Sequence, residues 1–465
     1  MSKNGQALRR LASAFSVLLV AAACRDAITT TPAERTFAPS FNRSRTATAA
    51  PGRHVFVLNG NIPADFGARV VAAGGTVVSS MSNIGVVVTE GLTDADADAL
   101  AGKNEVAPDY QARWIPTAEE MHISTTSLAL PVDVASAKPP LTAAFLPFQW
   151  NMMQIHAPEA WATGRSGSPS VRVAILDTGL DPDHLDQRGL IDMANSIAFI
   201  PSTGGPPTWA DDNLHGTSVG GIVTSNNFGT AGVAPNVTLI AVKVLDATGS
   251  GPFGAIIAGI YYATDVGAQV INMSLGAQFP KNARGASTLM AALNRAVNYA
   301  HQHGVLVVSA AGNEATDLQH DRNFIEVPCE TGVQLCVSAT GNGDTHASYS
   351  NYGVSAIDVA APGGDGPPGT ATWILAPCSS HSTDPLFASC KDRVSYIIET
   401  GTSAAAPHVS GLGAYLDSQF GGTLDASQLI TLIQQNSDDI GKPGADPFFG
   451  KGRINVLKTV TAAHP

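Results

Sequence analysis

Between residues 171 and 314 the chain returns four times to a short, nearly continuous apolar run: "VRVAIL", "VTLIAVKVL", "AQVINM" and "VLVVSAA". A strand with one wet face alternates apolar and polar residues. These runs do not alternate, so both of their faces must be covered. Helical stretches separate them: the small-residue "HGTSVGGIVT", then "GPFGAIIAGIYYATDVG" ended by Gly267, then the amphipathic "STLMAALNRAVNYAHQHG". The last closes on His301, His303 and Gly304, as suits a helix C-terminus. Connections of this length cannot be hairpins, so the pattern predicts an α/β fold with a parallel sheet and helices on both faces. It also predicts where chemistry gathers, since ligands and reactive groups in such sheets lie at the carboxyl ends of the strands.

A smaller unit precedes this region. "HVFVLNG" is strand-like, "ADFGARVVAAGG" is helical, and "TVVSSMSNIGVVVTE" gives two strands around a turn. "TDADADALAGK" starts a helix capped by Thr93, and "EVAPDYQARWI" closes with a strand. The order β-α-β-β-α-β is that of a ferredoxin-like α+β unit over residues 52–116. Residues 24–51 and 117–145 lack periodicity and are rich in Thr, Ala, Pro and Ser, so they read as a tether and a cleavable linker. The large domain then occupies 146–465.

The extreme N-terminus belongs to export rather than to the fold. Lys3, Arg9 and Arg10 precede "LASAFSVLLVAAAC", an apolar run shorter than the roughly 20 residues that span a bilayer. This is the layout of a secretory signal peptide over residues 1–23. "VAAAC" also resembles the lipobox of bacterial lipoproteins, with Cys24 the lipidated residue and Ala21 where a larger aliphatic is usual. Lipid anchoring in the cell envelope, plain secretion and an uncleaved anchor are the three outcomes, with lipidation favoured. Setting Cys24 aside leaves Cys329, Cys336, Cys378 and Cys390, an even count that suits disulfides in an exported chain. They allow three pairings, of which the local one is simplest. No C-x-x-C or H-x-x-x-H spacing supports zinc. A formal net charge of -12 argues against nucleic acid as a partner.

Several reactive side chains stand at the ends of the predicted strands. Asp177 follows the first run and Asn313 the last, while Ser274, Leu275 and Gly276 follow the third. His215 opens a helix after the acidic "ADDNL", and Ser403 opens another in "GTSAAAPHVSG". Singly, each has a plain structural role open to it, because Asp and Asn favour turns and Ser caps helices. Together, in the order Asp, His, Ser, they form one of the three known serine-triad orders.

The strings "AILDTGLDPDH", "HGTSVGG", "INMSLG", "SAAGNE" and "GTSAAAPHVSG" resemble, in this sequence, the subtilisin-like serine peptidases over residues 146–465. The unit at 52–116 resembles the inhibitory propeptide of that family. The resemblance implies an endopeptidase, made as a self-processing precursor, that acts on polypeptides and is held by its own propeptide. It implies Ser403 as nucleophile, His215 as general base, Asp177 as its orienting partner and Asn313 as an oxyanion donor. It further implies substrate-lining segments at Ser274, Leu275 and Gly276 and at Gly249, Ser250 and Gly251. Ala311 and Gly312 would form a wall of the main specificity pocket, with selection by shape rather than charge. Ser218 stands where the family commonly has His, and Ala404 where it usually has Met. Pro407 and His408 fit as packing residues. No cofactor is expected for catalysis and no catalytic metal. Structural calcium is common in the family, and Asp181, Asp183 and Asp186 are the acidic residues to examine, against the plainer expectation of a solvated loop. Two rival readings are a binding module on the same fold, against which all four site residues speak, and the acid-acting sedolisin branch, against which "HGT" speaks.

Overall fold

The computed structural model describes residues 47–117, 120, 123–126, 137–391 and 394–462. The expected signal peptide, Cys24 and most of the tether lie outside these residues. The N-terminal unit runs β1 (Thr48–Val57), α1 (Phe66–Ala72), β2 (Thr76–Met81), β3 (Val86–Glu90), α2 (Asp94–Ala101) and β4 (Glu105–Arg113). The strands form an antiparallel sheet in the order β2-β3-β1-β4. Thr93 caps α2, its hydroxyl accepting the Asp96 N–H at 3.2 Å. β1 begins inside the stretch expected to be tether, because Thr48 and Ala49 already pair with Gln111 and Tyr110.

One face of this sheet covers the unit's own helices through Phe56, Phe66, Val70, Val87, Ala97 and Ala101. The other face, with Val55, Val57, Val86 and Val88, joins a core that belongs to the larger domain. After it, part of the expected linker is bound rather than loose. Ser124–Thr125 form β5, and the Lys138 N–H donates to Asn226 O at 2.9 Å.

The larger domain continues α3 (Trp150–Gln154), α4 (Ala157–Ala162), β6 (Arg172–Asp177), β7 (Ile197–Ala198), α5 (His215–Val223), β8 (Thr238–Lys243), β9 (Ser250–Pro252) and α6 (Phe253–Asp265). Then come β10 (Val270–Met273), β11 (Ala277–Pro280), α7 (Ala286–Gln302), β12 (Leu306–Ala310), β13 (Phe324–Val327), β14 (Leu335–Thr340) and β15 (Val359–Pro362). The chain ends with β16 (Ile374–Cys378), β17 (Ser395–Glu399), α8 (Thr402–Gln419), α9 (Ala426–Gln435) and α10 (Val456–Ala462). The central sheet has the order β15-β14-β12-β10-β6-β8-β7 and every pairing in it is parallel. Successive residues of β6 feed opposite cores. Val173 and Ile175 pack with Val409 and Leu412 of α8, whereas Ala174 and Leu176 pack with Ile256 and Ile260 of α6. That is the physical meaning of the unbroken apolar runs: each strand has two dry faces. Two disulfides close, Cys329–Cys336 and Cys378–Cys390, with Cα separations of 5.1 and 5.9 Å. This is the local pairing.

Candidate active site

Asp177 ends β6, and His215 is the first residue of α5. Parallel strands all end on one side of the sheet, so the helix that returns from this edge starts beside the aspartate. His215 Nδ1 lies 2.9 Å from Asp177 Oδ1 and 3.0 Å from Oδ2, and both side chains are fully buried. Burial disfavours the charged imidazole, but the Asp177 charge and hydrogen bond outweigh it and raise the His215 pKa above its ordinary value. Since a carboxylate accepts only, Nδ1 carries the proton in the neutral ring. The Nε2 atom is buried and makes no hydrogen bond among the described residues.

A buried scaffold in the loop before α5 holds this pair. Asp211 accepts the Thr217 N–H at 2.8 Å, the Thr217 hydroxyl at 2.6 Å and the Thr178 hydroxyl at 2.8 Å. Thr178 Oγ1 in turn accepts the Gly216 N–H at 3.0 Å. A Cβ on Gly216 would collide with the Gly179 carbonyl oxygen, so the close approach of the two segments requires glycine there. Burial pushes the Asp211 carboxyl up to about 6, against the pull of these hydrogen bonds and of Lys243. Lys243 and Asp212 form a buried salt bridge at 2.7 Å, and Lys243 also donates to Thr178 O and Leu245 O. Sequence reasoning saw "ADDN" only as an acidic loop; two carboxylates three and four residues ahead of His215 were the available signal.

Ser403 is the second residue of α8, which packs against α5. Its side chain is almost wholly enclosed, with 4% exposed. The helix dipole places partial positive charge at this end. Asn313, just past β12, is fixed by the residue before the serine. Its Oδ1 accepts the Thr402 N–H at 2.8 Å and the Thr402 hydroxyl at 2.9 Å. The amide oxygen is thereby committed, and Nδ2 is left to donate. A Cβ placed on Gly401 would stand 2.8 Å from Ser403 Oγ and 3.9 Å from Asn313 Nδ2, so serine oxygen and amide donor flank one small space. Gly401 sits at φ +155. Neither Thr402's orienting role nor the use of Ser274 was legible beforehand. The Ser274 hydroxyl donates to Ser403 O at 2.7 Å and accepts from Asn272 Nδ2 at 2.9 Å, so its side chain braces the turn that opens α8. The Leu275 side chain is likewise in the core.

The backbone of the expected substrate-lining segments does meet a peptide: the chain's own. β9 adds to the N-terminal sheet beside β4, with Ala112 opposite Gly251 and Arg113 opposite Ser250. Trp114 then donates its N–H to Gly249 O at 2.9 Å and accepts the Gly276 N–H at 2.9 Å. Its indole is buried against Phe253, centroids 4.7 Å apart, with Nε1 donating to Gly251 O at 2.8 Å. Downstream, β5 pairs with β17, the strand that leads into Ser403. Ala311 and Gly312 pack beside Asn351, which donates to Ala311 O at 2.9 Å.

Two further expectations change. Ser218 is buried on α5 and donates to Glu399, itself a buried carboxyl whose pKa burial raises and the nearby His215 lowers. The serine standing in place of a histidine thus ties the His215 helix to the strand before Ser403. The acidic loop after Asp177 is only partly solvated: Asp181 and Asp186 are fully buried, and Asp183 is exposed. Asp181, Asp183 and His381 come together, but both Asp181 oxygens already accept from Asp183 N, His184 N and the Ser380 N–H and hydroxyl. Asp186 is held elsewhere, accepting the Phe228, Gly229 and Thr230 N–H groups and the Tyr396 hydroxyl. Asp181 and Asp186 are loop pins, Asp183 is exposed and meets His381 Nε2 at 2.9 Å, and the three do not make the oxygen cage that calcium requires.

A parallel sheet with a buried Asp–His pair at its carboxyl edge and a serine opening the adjacent helix defines a hydrolase of the serine-triad class. The Subtilase family profile matches residues 168–452, and the chain belongs to that family. It is 34% identical over 315 residues to thermitase from Thermoactinomyces vulgaris, covering 67% of this chain and 95% of that protein. It is 36% identical over 305 residues to subtilisin DY from Bacillus licheniformis, covering 65% and 94%. Among solved structures, a lanthipeptide protease matches with TM-score 0.61 at 28% identity, over 71% of this chain and 100% of that one. The epidermin leader peptide processing serine protease from Staphylococcus aureus matches in fold with TM-score 0.69 at 23% identity, over 89% of this chain and 98% of that one. The protein is a subtilisin-like serine-type endopeptidase, whose substrates are polypeptides.

Proposed function

We propose that hydrolysis runs through Asp177, His215 and Ser403, and that the chain is an exported precursor which cuts itself. Ser403 Oγ attacks the scissile carbonyl carbon as His215 Nε2 takes its proton. The oxyanion that forms accepts from Asn313 Nδ2 and the Ser403 N–H. The C–N bond breaks as His215 returns the proton to the leaving amine, and water then hydrolyses the acyl ester by the same route reversed. Asp177 fixes the tautomer and stabilises the imidazolium. The observation that carries this reading is the amide of Asn313, turned by Thr402 so that its donor and the Ser403 oxygen flank the same space.

The N-terminal unit acts as an inhibitory propeptide in this reading. Support comes from its tail, which lies on Gly249–Gly251 and Gly276 as an added strand, the way a peptide substrate would. Trp114 to Thr117 lie on one side and Ile123 to Thr126 on the other, paired with the strand before Ser403, so the self-cleaved bond falls between Thr117 and Ile123. The residues preceding Cys24 would direct export, with Cys24 the lipid-bearing N-terminus. Among the described residues no helix is long and apolar enough to cross a membrane.

The test is a fluorophosphonate probe applied to the full-length chain and to Ser403→Ala side by side. Labelling and shortening confined to the wild type are expected. A folded wild type that neither labels nor shortens would favour the binding-module alternative.

A further inference from the structure

The chain also lies across the far side of the site. Ser124–Thr125 form the outer strand of a three-stranded sheet ordered β16-β17-β5. β17 runs toward Ser403 and β5 pairs with it antiparallel, Thr125 opposite Ile397 and Ser124 opposite Ile398. This piece of chain therefore runs away from the serine, as the leaving half of a substrate must. The Thr126 N–H and hydroxyl both donate to Tyr396 O, at 3.0 and 3.1 Å. Side chains alternate along a strand, so Ile123 shares the face of Ile397. There it packs against a buried apolar cluster of Leu214, Cys378, Phe387, Cys390 and Ile397. Resting on the peptidase reading above, we propose that this cluster is a substrate subsite. It seats an aliphatic side chain downstream of the cleaved bond, while β17 binds the adjoining backbone as an added strand.

The seat is built by the larger domain and tied to the catalytic scaffold. Leu214 directly precedes His215, so one wall abuts the helix of the base. The other wall is the loop closed by Cys378–Cys390. Its Ser379 hydroxyl donates to Asp211 O at 2.6 Å, and the Thr383 N–H and hydroxyl donate to Asp212 O at 2.9 and 3.1 Å. Phe387 ends a 3-10 turn, Pro385–Phe387, whose start is fixed by Asp384 accepting the Leu386 N–H at 2.9 Å. The Cys390 N–H then donates to Phe387 O at 2.8 Å. None of these bonds uses residues 123–126, so the seat keeps its shape when its occupant changes. Ile123 is half-buried in it. A charged side chain in that place would shed water against five apolar residues that offer it no hydrogen bond, whereas an aliphatic one gains by burial. The subsite thus favours extended polypeptides that carry Ile, Leu or Val some residues past the cleaved bond.

The experiment uses the self-processed protein and fluorogenic peptides spanning residues 110–130 of this chain, varied only at position 123. Peptides with Ile or Leu there should exceed the Asp peptide in kcat/KM by roughly 10-fold, the share of a half-buried aliphatic group. Repeating the series with the Ile123→Asp protein as enzyme keeps the chain's own strand from masking the seat. Phe387→Ala should flatten the series by lowering the Ile and Leu values and sparing the Asp value. A second readout needs no turnover: in uncut Ser403→Ala protein, amide hydrogen exchange over residues 395–399 should rise when Ile123→Asp is added and stay unchanged with Ile123→Leu. Brisk hydrolysis at a rate that ignores position 123 with both enzymes overturns the subsite and leaves the peptidase reading standing. Exchange that rises with Ile123→Asp alone, in a protein whose wild type neither hydrolyses peptides nor takes fluorophosphonate, does the reverse.

Discussion

The two sheets of this protein bury themselves in opposite ways. The parallel sheet has helices on both faces and closes its own core, with Val173 and Ile175 on one side and Ala174 and Leu176 on the other. The N-terminal sheet closes one face with α1 and α2 and lends the other to α6 and α7. Its charged groups are also borrowed: Asp109 accepts the Gly254 N–H at 3.0 Å near the start of α6, and Glu105 accepts the Thr288 hydroxyl at 3.1 Å near the start of α7. Carboxylates at helix N-termini are favourable only while those helices are present. One region is thus a folded body with an active edge, and the other is a cover shaped by what it covers.

The largest effect separates chemistry from this division of labour. Ser403→Ala should reduce peptide hydrolysis by at least about 10⁴-fold, measured by fluorogenic turnover. The cover should stay docked and the chain uncut, because among the described residues no hydrogen bond between the two regions involves the serine hydroxyl. The comparison itself is tested next. Residues 47–117 alone should show no cooperative thermal unfolding by circular dichroism, since so small a unit with one sheet face uncovered has too little core. A sharp transition would mean that the cover is self-sufficient after all.

Within the active edge, Asn313→Ala should lower kcat by roughly 10²–10³-fold with KM little changed. Thr402→Val should follow it in part, because the amide oxygen would lose the hydroxyl that helps fix it and keep only the backbone N–H of residue 402. The pH dependence of the larger region is set in part by His408. Burial pulls its pKa down to about 4, and its two ring nitrogens lie 2.8 Å from Asn151 Nδ2 and from Ala404 O, which fixes a neutral tautomer. A depressed histidine pKa means that the unfolded chain takes up a proton first. Stability should therefore be intact above pH 6.5 and fall by about 3 kcal/mol as the pH drops from there to 4. Chemical denaturation across that window checks it, and His408→Gln should flatten the slope. The smallest effect lies at the join of the two regions. Trp114→Ala should weaken the cover, assayed as an inhibitor added in trans, by about 2 kcal/mol or more, the usual worth of a buried aromatic anchor. Catalysis by the uncovered domain should not change.

Much of this was readable beforehand, and the reason differs by residue. The parallel sheet followed from the apolar runs, because two dry faces leave no polar alternation. Asp177, His215, Asn313 and Ser403 were legible as strand-end and helix-start residues in a known order, and the local cysteine pairing as the simplest option. What escaped were groups whose meaning depends on a distant partner. Asp186 was expected in a solvated loop, with calcium the lesser alternative, and is a pin for the 228–230 turn. Ser274 looked like a groove residue and braces Ser403. Thr402 drew no notice in the sequence and orients Asn313 across 89 positions.

By itself, then, the sequence determined the layered fold and the edge on which the candidate groups collect, because periodicity and local motifs act within a strand or a turn. Only the tertiary structure decided that the amide oxygen of Asn313 is held by Thr402, leaving the nitrogen to donate, and which strand carries Trp114 onto Gly249 and Gly276. Those arrangements are fixed by packing between segments far apart in the chain, and no local pattern of residues encodes a distance.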